Sequence, residues 1–243
     1  MTRYEPRHDT QFEPRSALSG SDCNMAACAD VGRFYTLRLL DRSHVYYRTL
    51  TGDTEGGTNI SEAHMALEAA GVPVTGTYDY TDGKGWSDVR AALLGGSVVI
   101  AHGYYGSVPA SLRGPIDRTF TGLHSVLFHR IDPVHGVRVG DGLNDAWTWW
   151  PESVAKAYCV DFPGAGLTYL TVTPRQLAAR VPVANVRSGP SLSSGKLGTI
   201  TPSSRLHAGG TVTGGGVGTN RTWWRVWFHD QIAYVHSSVA HIV

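Results

Sequence analysis

The 243-residue chain is 42% apolar and 17% charged, with a formal net charge of +1. That length allows one large domain or two unequal ones with a buried core, and the composition excludes an acidic disordered chain. Lys and Arg are scattered, which leaves no electrostatic footprint for nucleic acid, and no apolar run reaches the roughly 18 residues needed to insert across a membrane.

Residues 1–22 are polar and rich in Arg, Pro and Ser. They lack the apolar segment of a secretory signal, which predicts synthesis in the cytoplasm without Sec export. From residue 23 to 40 the pattern turns helical, with Met25, Cys28, Val31, Phe34, Tyr35, Leu37 and Leu39 recurring at roughly three- and four-residue steps. Ser21 and Asp22 suit an N-cap, so Cys23 falls at or near a helix start. A second helix is predicted over residues 60–70, capped by Asn59 or Ser61 and stopped by Gly71, and a third over 87–94 before Gly95-Gly96.

The period then becomes strand-like. Residues 97–101, 124–130 and 136–141 read as strands, the last two forming a hairpin across Asp132-Pro133, and a further strand is expected near 157–160. Helices followed by an antiparallel sheet predict an α+β domain over residues 1–170. A linker over 171–182 holds Pro174 and Pro182, with a helical turn expected over 175–180. Residues 183–243 contain β-rich runs at 184–187, 210–213, 223–228 and 232–235 between Gly and Ser, the pattern of a small all-β barrel. The run at 214–218 lacks a following Lys-Ser/Thr and reads as a flexible loop rather than a phosphate cradle.

Three cysteines, Cys23, Cys28 and Cys159, are too few for a disulfide framework and leave at least one free thiol. A thiol at a helix start has its thiolate favoured by the helix dipole, and the free N–H groups there can hold an oxyanion. Cys28, further into the helix, is assigned to the core. A nucleophile needs a base and the base an orienting partner, which His124 and Asp141 can supply. If residue 130 pairs with 137, then 141 faces 126, and alternation sets His124 and Asp141 on one face of the sheet. A one-residue slip would separate them. His129 and His135 in the same hairpin, and Asn144 and Asp145 after it, stand as alternatives. The turns at 52–55 and 141–145 lack EF-hand spacing, and neither Cys-x-x-Cys nor His-Glu-x-x-His occurs. Neither a metal nor a cofactor is predicted.

Ser21-Asp-Cys-Asn-Met-Ala-Ala27 resembles the Asp-Cys-Gly-Pro-Ala-Ala segment of the bacteriocin-leader-processing branch of papain-like cysteine peptidases. Thr121-Gly-Leu-His-Ser-Val-Leu127 resembles that branch's Gly-Gly-His-Ala-Val, and Val139-Gly-Asp-Gly142 its Val-Leu-Asp-Pro. Gly56-Gly-Thr-Asn-Ile60 is similar to the middle region of such peptidases in endolysins of actinobacterial phages. The resemblance spans roughly residues 8–160 and implies a papain-like fold with Cys23 as nucleophile, His124 as base and Asp141 as orienter. Asn24-Met25 replaces Gly-Pro, and the oxyanion-donating Gln is missing from its usual place. Gln11 is the upstream candidate, its separation requiring a loop over residues 14–20, with a surface Gln as the other reading.

Val183-Ala-Asn-Val-Arg-Ser-Gly-Pro-Ser191 resembles the opening signature of bacterial SH3-like domains, and Lys196-Leu-Gly-Thr-Ile200 continues it. Trp223-Trp-Arg-Val-Trp227 and Ile232-Ala-Tyr-Val-His-Ser-Ser238 resemble later segments, with Ala233-Tyr234 in place of Gly-Trp. Aromatic faces on a small barrel suit sugar or peptide contact. That nominates Trp223, Trp224 and Tyr234 for wall binding, although some of these with Trp227 must fill the core. Together the resemblances imply a phage endolysin that cleaves the peptide part of peptidoglycan, amidase or endopeptidase. A non-catalytic wall-binding or phage structural protein is the alternative.

Overall fold

A computed structural model of the chain describes residues 4–12, 19–37, 43–52, 56–79, 82–160 and 167–243. They form two compact units. One comprises the described residues of Arg7–Gly32 and Leu40–Thr173, the other those of Met1–Pro6, Arg33–Leu39 and Pro174–Val243.

In the first unit, helix α1 (Cys23–Thr36) starts where Ala26 N–H donates to the Asp22 carbonyl at 2.9 Å. Residues 24–32 are all buried, so this helix has no solvent stripe. Two buried polar side chains of the helix reach across it to other segments: Asn24 Nδ2 donates to Thr58 O at 2.5 Å, and Asp30 lies 2.5 Å from His8. The predicted extension to residue 40 ends at Thr36, and residues 38–40 lie outside the described set. Helix α2 (His44–Thr51) was not anticipated. Helix α3 (Ile60–Ala69) begins at Asn59 with a reciprocal capping box, Asn59 accepting from Glu62 N–H and Glu62 accepting from Asn59 N–H.

Six antiparallel strands form one sheet: β1 (Gly76–Tyr78), β2 (Val98–Tyr104), β3 (Leu123–Asp132), β4 (Gly136–Asp141), β5 (Thr148–Trp150) and β6 (Thr168–Val172). Their spatial order is β1-β6-β2-β3-β4-β5. Helices α4 (Trp86–Leu94) and α5 (Glu152–Val160) bury Val89, Leu93, Ala155 and Tyr158 with Val99, Ala101, Val126, Phe128, Val137 and Val139. The strand expected near 157–160 is therefore wrong. Ala155, Tyr158 and Cys159 have the i, i+3, i+4 spacing of a helix face once the segment is taken from Pro151 onward. On the sheet's other side, a Cβ added at Gly140 would lie 3.0 Å from the Asp30 carboxylate, so α1 runs directly against β4.

The β3–β4 hairpin departs from simple counting. Arg130 pairs with Arg138 and Ile131 with Val137, one step off the expected 130–137 pairing. A register shift between Phe128 and Arg130 takes up one residue, and beyond it Val126 faces Asp141 as the alternation requires.

In the second unit, seven antiparallel strands curl in the order β13-β7-β10-β11-β12-β8-β9. They are β7 (Arg175–Ala179), β8 (Ala184–Arg187), β9 (Lys196–Ile200), β10 (Leu206–Val217), β11 (Asn220–Phe228), β12 (Gln231–His236) and β13 (Ala240–Ile242). The helical turn expected over 175–180 is strand β7, whose Leu177 and Ala179 join the core around Val186, Val226 and Val235. The glycine run is strand rather than loop up to Val217. A Cβ at Gly214 would fall 2.0 Å from Pro190 O, and Gly215 N–H donates to that carbonyl at 2.7 Å. Only glycine admits so close a backbone approach.

Candidate functional site

Cys23, His124 and Asp141 meet at the end of the first unit's sheet. Helix α1 presents Cys23 as its first residue, β3 supplies His124, and Asp141 closes β4. Because Val126 faces Asp141, strand alternation turns His124 and Asp141 to the same side. His124 Nε2–H donates to Asp141 Oδ1 at 2.7 Å, which leaves Nδ1 for the hydrogen bond with Cys23. His124 is 2% exposed and Asp141 1%.

Burial works against charge in all three, yet the charged forms prevail. Burial would raise the Cys23 thiol, but the His124 hydrogen bond and charge bring it below its ordinary value, helped by Ser125. For His124, burial is outweighed by the Asp141 carboxylate and by Cys23, and the imidazole is pushed up to about 10. Asp141 is lowered despite burial, by His124 first and by hydrogen bonds from Tyr105 and Leu143. Both directions favour the thiolate beside the imidazolium. Cys28 and Cys159 are raised well above a normal thiol by burial alone.

Asp141 is held on every side. Tyr105 Oη–H donates to Oδ2, Leu143 N–H donates to Oδ1 at 2.9 Å, and the main-chain oxygen accepts from Asn144 N–H at 2.7 Å and from His8 Nε2 at 2.8 Å. Asn144 therefore closes the turn after Asp141, and Asp145 is exposed. Of the other hairpin histidines, His129 packs 5.2 Å from the Trp147 ring, and His135 is exposed and bonded to Asp132 at 2.9 Å.

A cleft of about 440 Å³ opens over Cys23 and His124, walled by Phe12, Phe120, His102 and Asp117. Gln11 is 2% exposed and lines the same cleft. Its N–H donates to Gly142 O at 3.2 Å, and a Cβ at Gly142 would come 3.0 Å from Gln11 Oε1. Gln11 is thus a buried residue of the cleft rather than a surface one. Of the connecting loop expected over residues 14–20, all but Ser19 and Gly20 lie outside the described residues.

Several residues of the site had no sequence signal. His102 Nδ1 is 2.7 Å from Ser125 Oγ, and its pKa is lowered by burial and by the charge of His124. Arg48, on the unanticipated α2, donates through Nε to Asp22 Oδ1 at 2.7 Å and through a terminal nitrogen to Gly56 O at 3.1 Å. It thereby ties the residue before Cys23 to the cleft's rim. Among the described residues no cluster of His, Cys, Asp or Glu could hold a metal, and no described helix is long and apolar enough to cross a membrane.

In the second unit, Arg187 donates to Ser194 O at 2.8 Å and Ser188 N–H to Gly195 O at 2.9 Å, closing the turn through Gly189-Pro190. Trp223 is 1% exposed and its Nε1–H donates to Gly215 O at 2.8 Å. Its indole is interior and offers no face to a ligand, a correction to its place among the wall-binding candidates. Trp224 and Tyr234 are half-buried.

Residues 182–240 match the bacterial SH3 domain, a family whose members commonly bind cell-wall peptidoglycan. The curled antiparallel sheet agrees with that match. No curated protein matches the chain.

Proposed function

We propose that the protein is a cell-wall hydrolase of the endolysin type, with a papain-like cysteine peptidase unit that cuts peptide or amide bonds of peptidoglycan and a bacterial SH3 domain that holds it to the wall. The observation that carries this reading is the Cys23–His124–Asp141 set, with Cys23 at a helix start and its two partners buried, opening onto a cleft in a chain with a bacterial SH3 domain. The motif resemblances support a phage origin, synthesis in the cytoplasm and action on the wall after release.

In the proposed reaction Cys23 Sγ bonds to the carbonyl carbon of the scissile bond, and the carbonyl electrons move to its oxygen. Main-chain N–H at the start of α1 and the Gln11 amide receive that oxyanion. His124 gives its proton to the departing amine, leaving a thioester. Water, losing a proton to His124, then attacks the thioester, releases the acid and restores the thiolate–imidazolium pair. Asp141 holds the imidazole in the orientation both steps need. Trp224 and Tyr234 are the aromatic candidates for wall contact.

Incubation of the full chain with purified walls from candidate bacteria, followed by mass spectrometry of released muropeptides, tests the reading. Wild type should release fragments with one recurrent new terminus, and Cys23→Ala should release none while still sedimenting with walls. Walls bound but uncut by wild type would favour the non-catalytic alternative.

A further inference from the structure

We propose that His8 is a positioning residue of this site, a clamp that fixes Asp141 through its main chain; the inference rests on the peptidase reading. His8 belongs to the N-terminal segment of the first unit, far in sequence from the hairpin. Its Nδ1 lies 2.5 Å from Asp30 Oδ2 and its Nε2 lies 2.8 Å from Asp141 O. The two side chains of the His8–Asp30 pair are 3% and 0% exposed. Both neighbours are acceptors, a carboxylate and a carbonyl. A neutral ring could donate to only one of them, so the geometry calls for imidazolium.

The surroundings agree with that charge. Burial opposes it, but Asp30 on α1 and Asp141 on β4 outweigh burial and push His8 up to about 9. Trp147 covers the ring at 5.4 Å, and Asp30 Oδ1 also accepts from Asp9 N–H at 2.8 Å. Asp30 lies seven residues after Cys23 on the same helix, two turns along one face. His8 therefore bridges the helix that bears the nucleophile to the backbone of the residue that orients the base. Three residues on, Gln11 N–H donates to Gly142 O, so one segment secures Asp141 and delivers Gln11 to the cleft. Outer partners of this kind set the aim of the group they hold.

Two amide substitutions separate the role from mere packing. His8→Gln keeps a donor near the Nε2 position, within reach of Asp141 O, whereas His8→Asn keeps one near Nδ1, within reach of Asp30 alone. The readout is the rate at which iodoacetamide alkylates Cys23 in the full chain, followed by peptide mass spectrometry at about pH 6 and about pH 10, values that bracket an ordinary thiol. Wall turnover and sedimentation are measured beside it.

Wild type should react at the lower pH at a rate set by its thiolate. His8→Gln should stay within about threefold of it, and His8→Asn should fall roughly tenfold or more at the lower pH while matching wild type at the higher, the size of one lost charged hydrogen bond. Turnover should follow the same order with wall sedimentation unchanged. Equal rates in His8→Asn and wild type at about pH 6 would overturn the inference and leave the peptidase reading standing. A wild-type Cys23 with no such reactivity at low pH would overturn both. If His8→Asn does not fold, the inference stands or falls with His8→Gln, which must keep near-wild-type alkylation and turnover.

Discussion

At the scale of single residues, the site's ionisation makes a definite pH prediction. The Cys23 thiolate exists above its lowered pKa, and the His124 imidazolium exists below about 10. Cys23 alkylation and wall cleavage should both persist below the ordinary thiol value, and cleavage alone should fall as pH rises through about 10 and the imidazolium loses its proton. The stability contribution of His8 has the matching sign. Its pKa rises from 6.5 to about 9 on folding, so the contribution is complete below 6.5 and disappears as pH rises through about 9. Melting temperature followed across that range in wild type and His8→Gln checks it, because the amide cannot titrate. Tyr105→Phe removes the donor on Asp141 Oδ2 and should lower turnover roughly tenfold with little change in wall binding. Asp141→Asn should fold and lose turnover through the wrong imidazole tautomer. The His124–Asp141 juxtaposition is legible in the sequence because strand alternation is a local rule. His8 and Tyr105 are not, since they reach Asp141 across 133 and 36 positions with no periodic pattern to mark them.

Among elements, what the sequence conveyed best was existence, and what it conveyed worst was partnership. Helix α3 is visible from its cap, and the β3–β4 hairpin from its turn, yet the register shift at His129 leaves no trace in composition. Strand β7 was hidden because Arg175-Gln-Leu-Ala-Ala179 has helix-forming residues, and burial against β10 and β13 overrides that local preference. The contact of α1 with β4 yields a prediction at this scale. A methyl group at residue 140 would meet Trp147 at 2.8 Å and the Asp30 carboxylate at 3.0 Å. Gly140→Ala should therefore cost about 1–3 kcal/mol of unfolding free energy, read as a lower denaturant midpoint at an unchanged slope. Ala26 and Gln11 crowd Gly142 in a similar way, so Gly142→Ala should slow turnover more than it lowers the midpoint.

For the whole molecule, the matched SH3 segment and the folded sheet do not begin together. The match opens at residue 182, whereas β7 at Arg175–Ala179 lies between β13 and β10. A fragment starting at residue 181 lacks that strand and leaves Leu206 and Ala240 without their cover. Fragment 174–243 should melt cooperatively and sediment with walls, and fragment 181–243 should do neither; equal behaviour of the two would show that β7 is dispensable. The first unit has an order of its own. Strand β6 is the last of its sheet to be synthesised, but it sits between β1 and β2, and β1 has no other strand partner among the described residues. At about 5–20 residues per second, the 101 positions from Cys23 to His124 take roughly 5–20 s to emerge from a ribosome, and the sheet waits longer still for β6. Until His124 has emerged, Cys23 lacks the imidazole that lowers its pKa. The order of translation thus postpones the meeting of Cys23 with His124 and Asp141 until late in the making of the unit.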